Sequence, residues 1–194
     1  MNKKITIIQG HPDPEGGHFD HMLADTYTQA AEQAGHCVTT INIAKLDFPL
    51  LRSQADWETG VVPEAIQAAQ KSISEADHLV FIYPLWLGDM PALLKAFLEQ
   101  VLRPGFAFEN SSGSNISKGK LKGKSAHIIV TMGMPAFFYR WFYGSHSLKS
   151  LERNILRFCG IGPVKSTLIG LVEKVSENKC KKVKKKIGNL AIAA

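Results

Sequence analysis

The chain has 194 residues, of which 45% are hydrophobic and 21% charged, and its formal net charge is +6. This size and composition are typical of one globular domain, so we expect residues 1–194 to fold as a single unit. No stretch approaches the roughly 20 apolar residues that a membrane-spanning helix needs, and the N-terminus does not match a signal peptide, so we expect a cytoplasmic protein.

Hydrophobic periodicity switches repeatedly between strand and helix patterns along the chain. Short apolar runs predict five buried strands, at residues 5–9, 37–43, 78–82, 126–131 and 164–170. Amphipathic segments predict the helices between and after them, at residues 19–34, 63–75, 91–102 and 148–159 and in the lysine-rich C-terminal segment.

Strands that alternate with helices favour a parallel sheet covered on both faces. Right-handed crossovers limit the topology, and 2-1-3-4-5 is the expected order for five such strands. We therefore predict an α/β protein, a flavodoxin-like three-layer sandwich. Residues 47–62 and 110–124 show neither strand nor helix periodicity, and connections of this length are usually functional or disordered.

Much of the positive charge lies near the C-terminus, in the segment Lys174–Lys186. Such a lysine run favours a solvated helix face, with attraction of a phosphate-bearing cofactor or an anionic surface as the alternative. It lacks interleaved aromatic residues and a groove-reading motif, so we do not expect nucleic-acid binding.

The three cysteines are Cys37, Cys159 and Cys180. Their odd number, wide separation and lack of CxxC or Cys/His ligand spacing indicate neither a disulfide framework nor a metal site. We expect Cys37 and Cys159 in the core and Cys180 at the surface.

Ligands of an open parallel sheet bind beyond the carboxyl ends of its strands. The loops after the first, third and fourth predicted strands should therefore meet at one site. The first, residues 10–19, can present backbone N–H groups and a helix N-terminus to a phosphate, with His11 and His18 adding hydrogen bonds. It matches neither a Walker loop nor GxGxxG, so a plain turn stays the alternative.

The second loop, residues 83–91, reads YPLWLGDMP. It offers apolar side chains and backbone groups of the kind that hold a flat heterocycle, while a core or subunit-interface role for Trp86 stays open. The third loop, residues 131–146, carries six aromatic side chains, which favours a pocket wall or a dimer interface. Tyr139, Tyr143 and His146 add proton-donating groups there, with a structural role as the alternative for the histidine.

Together these loops resemble the NAD(P)H:quinone oxidoreductase family, flavodoxin-like flavoproteins that include quinone reductases and ancillary proteins of glutathione-gated potassium efflux systems. The resemblance extends to about Gly170. Its most specific part is residues 83–108, YPLWLGDMPALLKAFLEQVLRPGFAF, which looks like the family's isoalloxazine loop, the helix after it and the RPGFAF ending. Thr131, Met132 and Gly133 match the start of the family's strand-four loop.

The first loop follows the family's H-P-x-x-x-x-S-x-x-N pattern only in part, because Gly17 replaces the serine and Asp20 the asparagine. The lost hydroxyl removes a phosphate hydrogen bond worth about 1 kcal/mol or more. A carboxylate would repel a phosphate, although the backbone amides, the helix end and His18 remain to bind it.

The resemblance implies roles for individual residues. The phosphate and ribityl part of a flavin would be held by His11, Gly17, His18 and Phe19. The flavin ring would be held by Pro84, Leu85, Trp86 and Leu87, and its other edge by Thr131, Met132 and Gly133. A tyrosine, Tyr143 or Tyr139, with His146 would stabilise the anionic reduced flavin.

The resemblance further implies a flavin-dependent NAD(P)H oxidoreductase that reduces quinones or similar electrophilic acceptors by ping-pong hydride transfer. The cofactor would be FAD, alternatively FMN, with NADPH or NADH as co-substrate, and residues 47–60 would contact the adenosine part of FAD. Family members are generally homodimers, and the wide apolar stripe of helix 91–102 agrees, with deep burial as the alternative. The alternative function is a flavin-binding ancillary subunit with a peripheral partner and little turnover.

Overall fold

The computed structural model describes residues 2–109, 118–173 and 175–194. Its main sheet is parallel, with strands in the order β2-β1-β3-β6-β7. These strands are β1 (Lys4–Gln9), β2 (Cys37–Asn42), β3 (His78–Pro84), β6 (Ser125–Thr131) and β7 (Val164–Ile169). A short antiparallel pair, β4 (Phe108–Glu109) and β5 (Lys118–Gly119), flanks residues 110–117. Those eight residues of the predicted polar connection, and Lys174, lie outside the described ranges.

Helices cover both faces of the sheet. They are α1 (Phe19–Gln33), α2 (Gln54–Glu58), α3 (Glu64–Glu75), α4 (Ala92–Val101), α5 (Ala136–Trp141), α6 (His146–Lys149) and α7 (Glu177–Ile192). A 3₁₀ turn, Ile43–Lys45, follows β2, and α6 continues as a π-helical stretch, Ser150–Arg157.

The core has two halves because successive residues of a strand point to opposite faces of the sheet. In β1, Ile5 and Ile7 pack with α1 and α7, whereas Ile8 packs on the side of α3, α4 and the π-helical stretch. The first six residues of β3 are all buried, as expected for a central strand. The apolar runs in the sequence therefore correspond to strands covered on both sides.

The predicted flavodoxin-like fold and strand order are confirmed, and most predicted elements end within two residues of the observed ones. The differences are short helices inside two predicted loops. Ser53 caps α2 by accepting a hydrogen bond from the Asp56 backbone N–H at 3.0 Å, and Pro135 precedes α5. Helices of five or six residues are too short to show a 3.6-residue periodicity.

Burial of the cysteines corrects one expectation. Cys159 is buried as predicted, but Cys37 is exposed, because β2 is an edge strand whose outward positions lack a covering helix. Cys180 is half-buried rather than exposed, with its Sγ 3.7 Å from Sδ of Met22.

The loop between β2 and α3 is fastened to α4 and its C-terminal end. Gln100 donates from Nε2 to the Pro49 carbonyl at 2.6 Å, and Arg103 donates from Nη1 to the Gly60 carbonyl at 2.8 Å. Phe48 and Trp57 of this loop pack against the core on the α4 side. Residues 47–62 are thus ordered by specific hydrogen bonds, although their sequence shows no regular pattern.

None of the helices in the described ranges combines the length and apolar character needed to span a bilayer.

Candidate active site

The three loops singled out in the sequence follow β1, β3 and β6, which are neighbours in the sheet. Hydrogen bonds continue past the strand ends: Gly10 donates its N–H to the Ile82 carbonyl, and Leu85 donates to the Thr131 carbonyl, each at 2.7 Å. The three loops therefore start side by side at the carboxyl edge of the sheet, as predicted.

The first loop leaves the N-terminus of α1 open. Gly16 and Gly17 have φ values of +81° and +76°, a conformation that other residues rarely adopt, and no atom lies within 4 Å of the position a Cβ would take. His18 is the N-cap residue, but its side chain makes no capping hydrogen bond. The first N–H groups of a 15-residue helix thus remain available to an anion.

Three histidines gather at this helix end. The rings of His11 and His18 stack with centroids 3.9 Å apart, and the His21 ring lies 5.3 and 5.7 Å from them. His18 also pairs with Asp13, at 2.6 Å between Nε2 and Oδ2. Burial first, then the neighbouring imidazoles of His18 and His21, lower the pKa of His11 to about 4. At neutral pH the His11 ring is therefore uncharged, unless a bound anion stabilises its charged form.

His21 was not singled out in the sequence. Both of its ring nitrogens are buried and have no hydrogen-bond partner among the described residues, and burial is the main cause that lowers its pKa. The signal that could have found it is the three-residue spacing from His18, which places both rings on one face of the first helical turn.

Asp20, the residue that replaces the family's asparagine, points into the protein. Its side chain is only 2% exposed, and this burial raises the pKa of the carboxyl to about 6, while a hydrogen bond from the Thr131 side chain acts in the opposite direction. A carboxyl with this pKa is still mostly ionised at neutral pH and becomes mostly protonated only below about pH 6. The expected repulsion of a phosphate therefore remains at neutral pH and weakens in mild acid.

The second loop makes a tight two-residue turn. Trp86 and Asp89 exchange backbone hydrogen bonds of 2.8 and 2.9 Å, and the residues between them, Leu87 and Gly88, have φ values of +48° and +82°. Two successive positive φ values are those of a type I′ turn, which suits glycine at Gly88 but is strained at Leu87. The Leu87 side chain is fully exposed and that of Trp86 half-exposed.

A cavity of about 410 Å³ lies between this turn and the third loop. It is lined by Leu85, Leu87, Gly88, Met132, Gly133, Met134, Tyr139 and Tyr143. Six of these residues were predicted as site residues, namely Leu85, Leu87, Met132, Gly133, Tyr139 and Tyr143. The predicted Pro84, Trp86 and Thr131 adjoin the cavity in sequence but do not line it, and Trp86 lies nearer the histidines, 5.8 Å from the His11 ring.

The third loop is held in place by the segment after β7. Met132 donates its N–H to the Ile169 carbonyl at 2.9 Å and accepts from the Val172 N–H at 3.2 Å. A Cβ at Gly170 would lie only 2.4 Å from the Ala136 backbone nitrogen, so a larger residue would separate the two segments. No sequence pattern predicts this contact, because it joins residues that are distant along the chain.

The three predicted catalytic side chains occupy different surroundings. Tyr139 is buried, its hydroxyl lies 2.6 Å from Oγ of Ser147 and accepts from the Leu148 N–H at 3.2 Å. Tyr143 is half-exposed and lines the cavity. His146 is exposed, outside the lining, with its ring against Gly144. The structure therefore brings Tyr143 and Tyr139 to the cavity and leaves His146 beside it.

A second, larger groove of about 470 Å³ lies on the α4 side of the sheet. Its walls come from α2, α4 and the π-helical stretch and include Trp57, Leu98, Leu102 and Phe158. Trp57, from the segment expected to contact adenosine, faces this groove. Within the described ranges, no three His, Cys, Asp or Glu side chains are arranged to hold a metal ion.

Comparison with known proteins identifies the family that the sequence resembles, over nearly the whole chain. A family profile described as flavodoxin-like fold matches residues 3–190. A Haemophilus influenzae protein named as an NAD(P)H oxidoreductase is 29% identical over 175 aligned positions, and the match covers 88% of this chain and 85% of that protein. NAD(P)H dehydrogenase [quinone] 1 of Rattus norvegicus is 31% identical over 192 residues, covering 86% of this chain and 68% of the rat protein.

Among solved structures, the NAD(P)H:quinone oxidoreductase of Methanothermobacter marburgensis superposes with a TM-score of 0.82. The match covers 99% of this chain and 98% of that one. At 21% sequence identity, this likeness concerns the fold.

Proposed function

Because this chain belongs to the NAD(P)H:quinone oxidoreductase family of flavodoxin-like proteins, we propose that it binds a flavin and uses NADPH or NADH to reduce quinone-like acceptors. The observation that carries the proposal is the cavity between the type I′ turn and the third loop, next to an open helix N-terminus. We take FAD as the cofactor and FMN as its alternative, in a cytoplasmic enzyme.

The residues present fit the two ends of a flavin. The cavity has apolar walls at Leu85, Met132 and Tyr143, which suit the faces of a flat ring. The histidine cluster and the free N–H groups of α1 suit a phosphate, and Trp86 lies between the two regions. When bound, the flavin supplies hydride transfer, with NAD(P)H and quinone reacting in turn.

The chain's own groups would bind, orient and stabilise charge. Tyr143 offers a hydroxyl at the cavity wall, and His146 offers a second donor from the start of α6. Preorganised donors of this kind stabilise negative charge where it develops. Tyr139 has its hydroxyl engaged with α6, so we assign it the positioning of the loop that carries Tyr143.

We propose that the functional unit is a homodimer and that the acceptor is a small molecule. The groove beside α4, with Trp57, Leu102 and Phe158 in its walls, is an apolar surface on which a second subunit could pack. Most of the apolar stripe of α4 itself is buried within the subunit.

The test is an absorbance spectrum of the flavin-reconstituted protein, followed by anaerobic addition of NADPH and then menadione. Bleaching of the flavin band with NADPH and its recovery with menadione would support the proposal. Thin-layer chromatography of the released cofactor distinguishes FAD from FMN. Binding of flavin without steady-state quinone turnover would favour an ancillary subunit, and failure to bind either flavin would overturn both functions.

A further inference from the structure

Helix α5 exposes an unusual amount of aromatic surface. Phe137 is 68% exposed, Trp141 83% and Phe142 72%. Phe142 stacks on Phe138 with ring centroids 4.8 Å apart, and Phe137 and Trp141 line one hollow, so the exposed rings form two pairs rather than isolated side chains. None of these four residues lines the cavity assigned to the flavin ring, so the proposed chemistry does not account for them.

Helix α7 concentrates positive charge. It carries six lysines and one glutamate, a net charge close to that of the whole chain. Lys179 has a structural role, donating from Nζ to the carbonyls of Gly170 and Leu171 at 2.7 and 3.0 Å. The other five are exposed, namely Lys181, Lys182, Lys184, Lys185 and Lys186. The helix is anchored by the buried Ile187 and Ala191, so the lysines project from a fixed support.

The rings of Phe137 and Trp141 and the lysine-rich helix α7 meet along the edge strand β7. A hollow of about 310 Å³ is lined by Phe137, Arg140 and Trp141 of α5, by residues 166–168 of β7, and by Lys186 of α7. Phe137, Arg140 and Trp141 therefore share one hollow with Lys186, and Lys182 lies one turn before Lys186 on the same side of α7. We call these five residues the α5/α7 surface.

We propose that the α5/α7 surface docks onto an anionic lipid bilayer. Aromatic side chains favour the boundary between headgroups and acyl chains, and clustered lysines are attracted to acidic headgroups. The apolar rings on α5 and the cations on α7 match these two layers of a membrane interface. Because Tyr143 lies just after α5 and lines the cavity, docking would bring the cavity close to lipid-dissolved acceptors.

Two other occupants fit this surface less well. A second copy related by two-fold symmetry would bring together two surfaces with the same positive charge, which costs free energy through like-charge repulsion. Nucleic acid binds where aromatic rings are interleaved with several cations, whereas here only Arg140 lies among the rings and the lysines lie on a separate helix. A lipid surface needs neither self-complementarity nor interleaving.

The experiment is co-sedimentation of the full-length, flavin-reconstituted protein with vesicles. Phosphatidylglycerol mixed with phosphatidylcholine is compared with phosphatidylcholine alone, at low and high salt. We expect at least roughly tenfold stronger binding to the anionic vesicles, weakened by salt. Equal binding to both vesicles, or none, would overturn the proposal whatever the quinone assay shows.

Two double variants test the two halves of the surface. Lys182→Gln with Lys186→Gln, and Phe137→Ser with Trp141→Ser, should each weaken vesicle binding several-fold. The matched control is Lys71→Gln with Lys122→Gln, exposed lysines outside the α5/α7 surface, which should bind as the parent does. Thermal melting and flavin absorbance identify any variant that fails to fold.

Three further outcomes would also overturn the proposal. The first is an equal loss of vesicle binding in the control variant. The second is dissociation of a dimer by the aromatic variant, and the third is tighter binding of the protein to RNA than to anionic vesicles when the two compete. Turnover of a water-soluble quinone should stay unchanged in the lysine variant, because these lysines lie outside the cavity.

Discussion

The imidazole rings of His11 and His18 stack face to face, with centroids 3.9 Å apart and planes 19° apart, directly before helix α1. Two positive charges in this arrangement would repel each other, which is one reason why the pKa of His11 is lowered. Asp13 already places one carboxylate beside His18, and a phosphate would add a second anion that makes a charged His11 more favourable.

His18→Ala should therefore weaken flavin binding by roughly tenfold, the effect of losing one charge-assisted hydrogen bond. Quenching of flavin fluorescence on titration with the protein measures the affinity. His36→Ala, at the opposite end of α1, is the matched control and should bind flavin as the parent does. Unchanged affinity in His18→Ala would place the phosphate elsewhere.

Asp20→Asn should stabilise the protein at alkaline pH. The folded carboxyl has its pKa raised to about 6 from 3.8, so the charged form is disfavoured in the fold, and the destabilisation is complete above pH 6. As pH falls from 6 towards 4, the folded protein takes up the proton first and the difference disappears.

We expect a gain in the free energy of unfolding of about 1–3 kcal/mol at pH 8, measured by urea denaturation. The gain should shrink towards zero near pH 4. A variant less stable than the parent at pH 8 would mean that the carboxylate makes a favourable contact in the fold. Flavin affinity at pH 8 should also rise, because the negative charge near the phosphate is removed.

Two buried histidines should make the fold sensitive to acid. His78 bonds from Nδ1 to Ser125 Oγ at 2.7 Å, His127 bonds from Nε2 to Thr167 Oγ1 at 2.9 Å, and burial lowers the pKa of each to about 4. The unfolded chain binds these protons near pH 6.5, so stability is complete above that pH and is lost as pH falls towards 4.

The loss should reach about 2–3 kcal/mol for each histidine. Urea denaturation of His78→Gln with His127→Gln should show a flatter dependence on pH between 6.5 and 4 than the parent, since neither glutamine titrates. An unchanged slope in the double variant would assign acid sensitivity to other groups.

The two tyrosines at the cavity should respond differently to loss of the hydroxyl. Tyr139→Phe removes the partner of Ser147 and of the Leu148 N–H, and should lower the free energy of unfolding by about 1–2 kcal/mol. Tyr143→Phe should leave stability unchanged and slow flavin reduction by NADPH roughly 10- to 100-fold. Stopped-flow reduction and urea denaturation measure the two effects. The reverse pattern would exchange the roles assigned to the tyrosines.

The main sheet was predictable because its strands are short apolar runs that alternate along the chain with amphipathic helices. The same holds for the loops after β1, β3 and β6, whose position follows from the parallel topology. Residues 170–172 could not be found in this way, because their role depends on hydrogen bonds to Met132 and Met134 across the sheet edge.

Asp20 illustrates a second limit of the sequence. Its identity alone predicts a carboxylate that stays charged down to about pH 4, whereas burial raises the pKa of the carboxyl to about 6, so that the charge is lost already in mild acid. Exposure decides the charge of such a group, and exposure depends on which side of α1 faces the sheet.

Leu87 combines two unfavourable features, a left-handed backbone conformation and a fully exposed apolar side chain. Glycine or asparagine would adopt this turn with less strain. Selection for heat tolerance alone should therefore discard this leucine, whereas selection for turnover should keep it if its side chain shields the reacting partners from water. In laboratory evolution, substitutions of this one codon would then raise the thermal stability of the enzyme and lower its turnover.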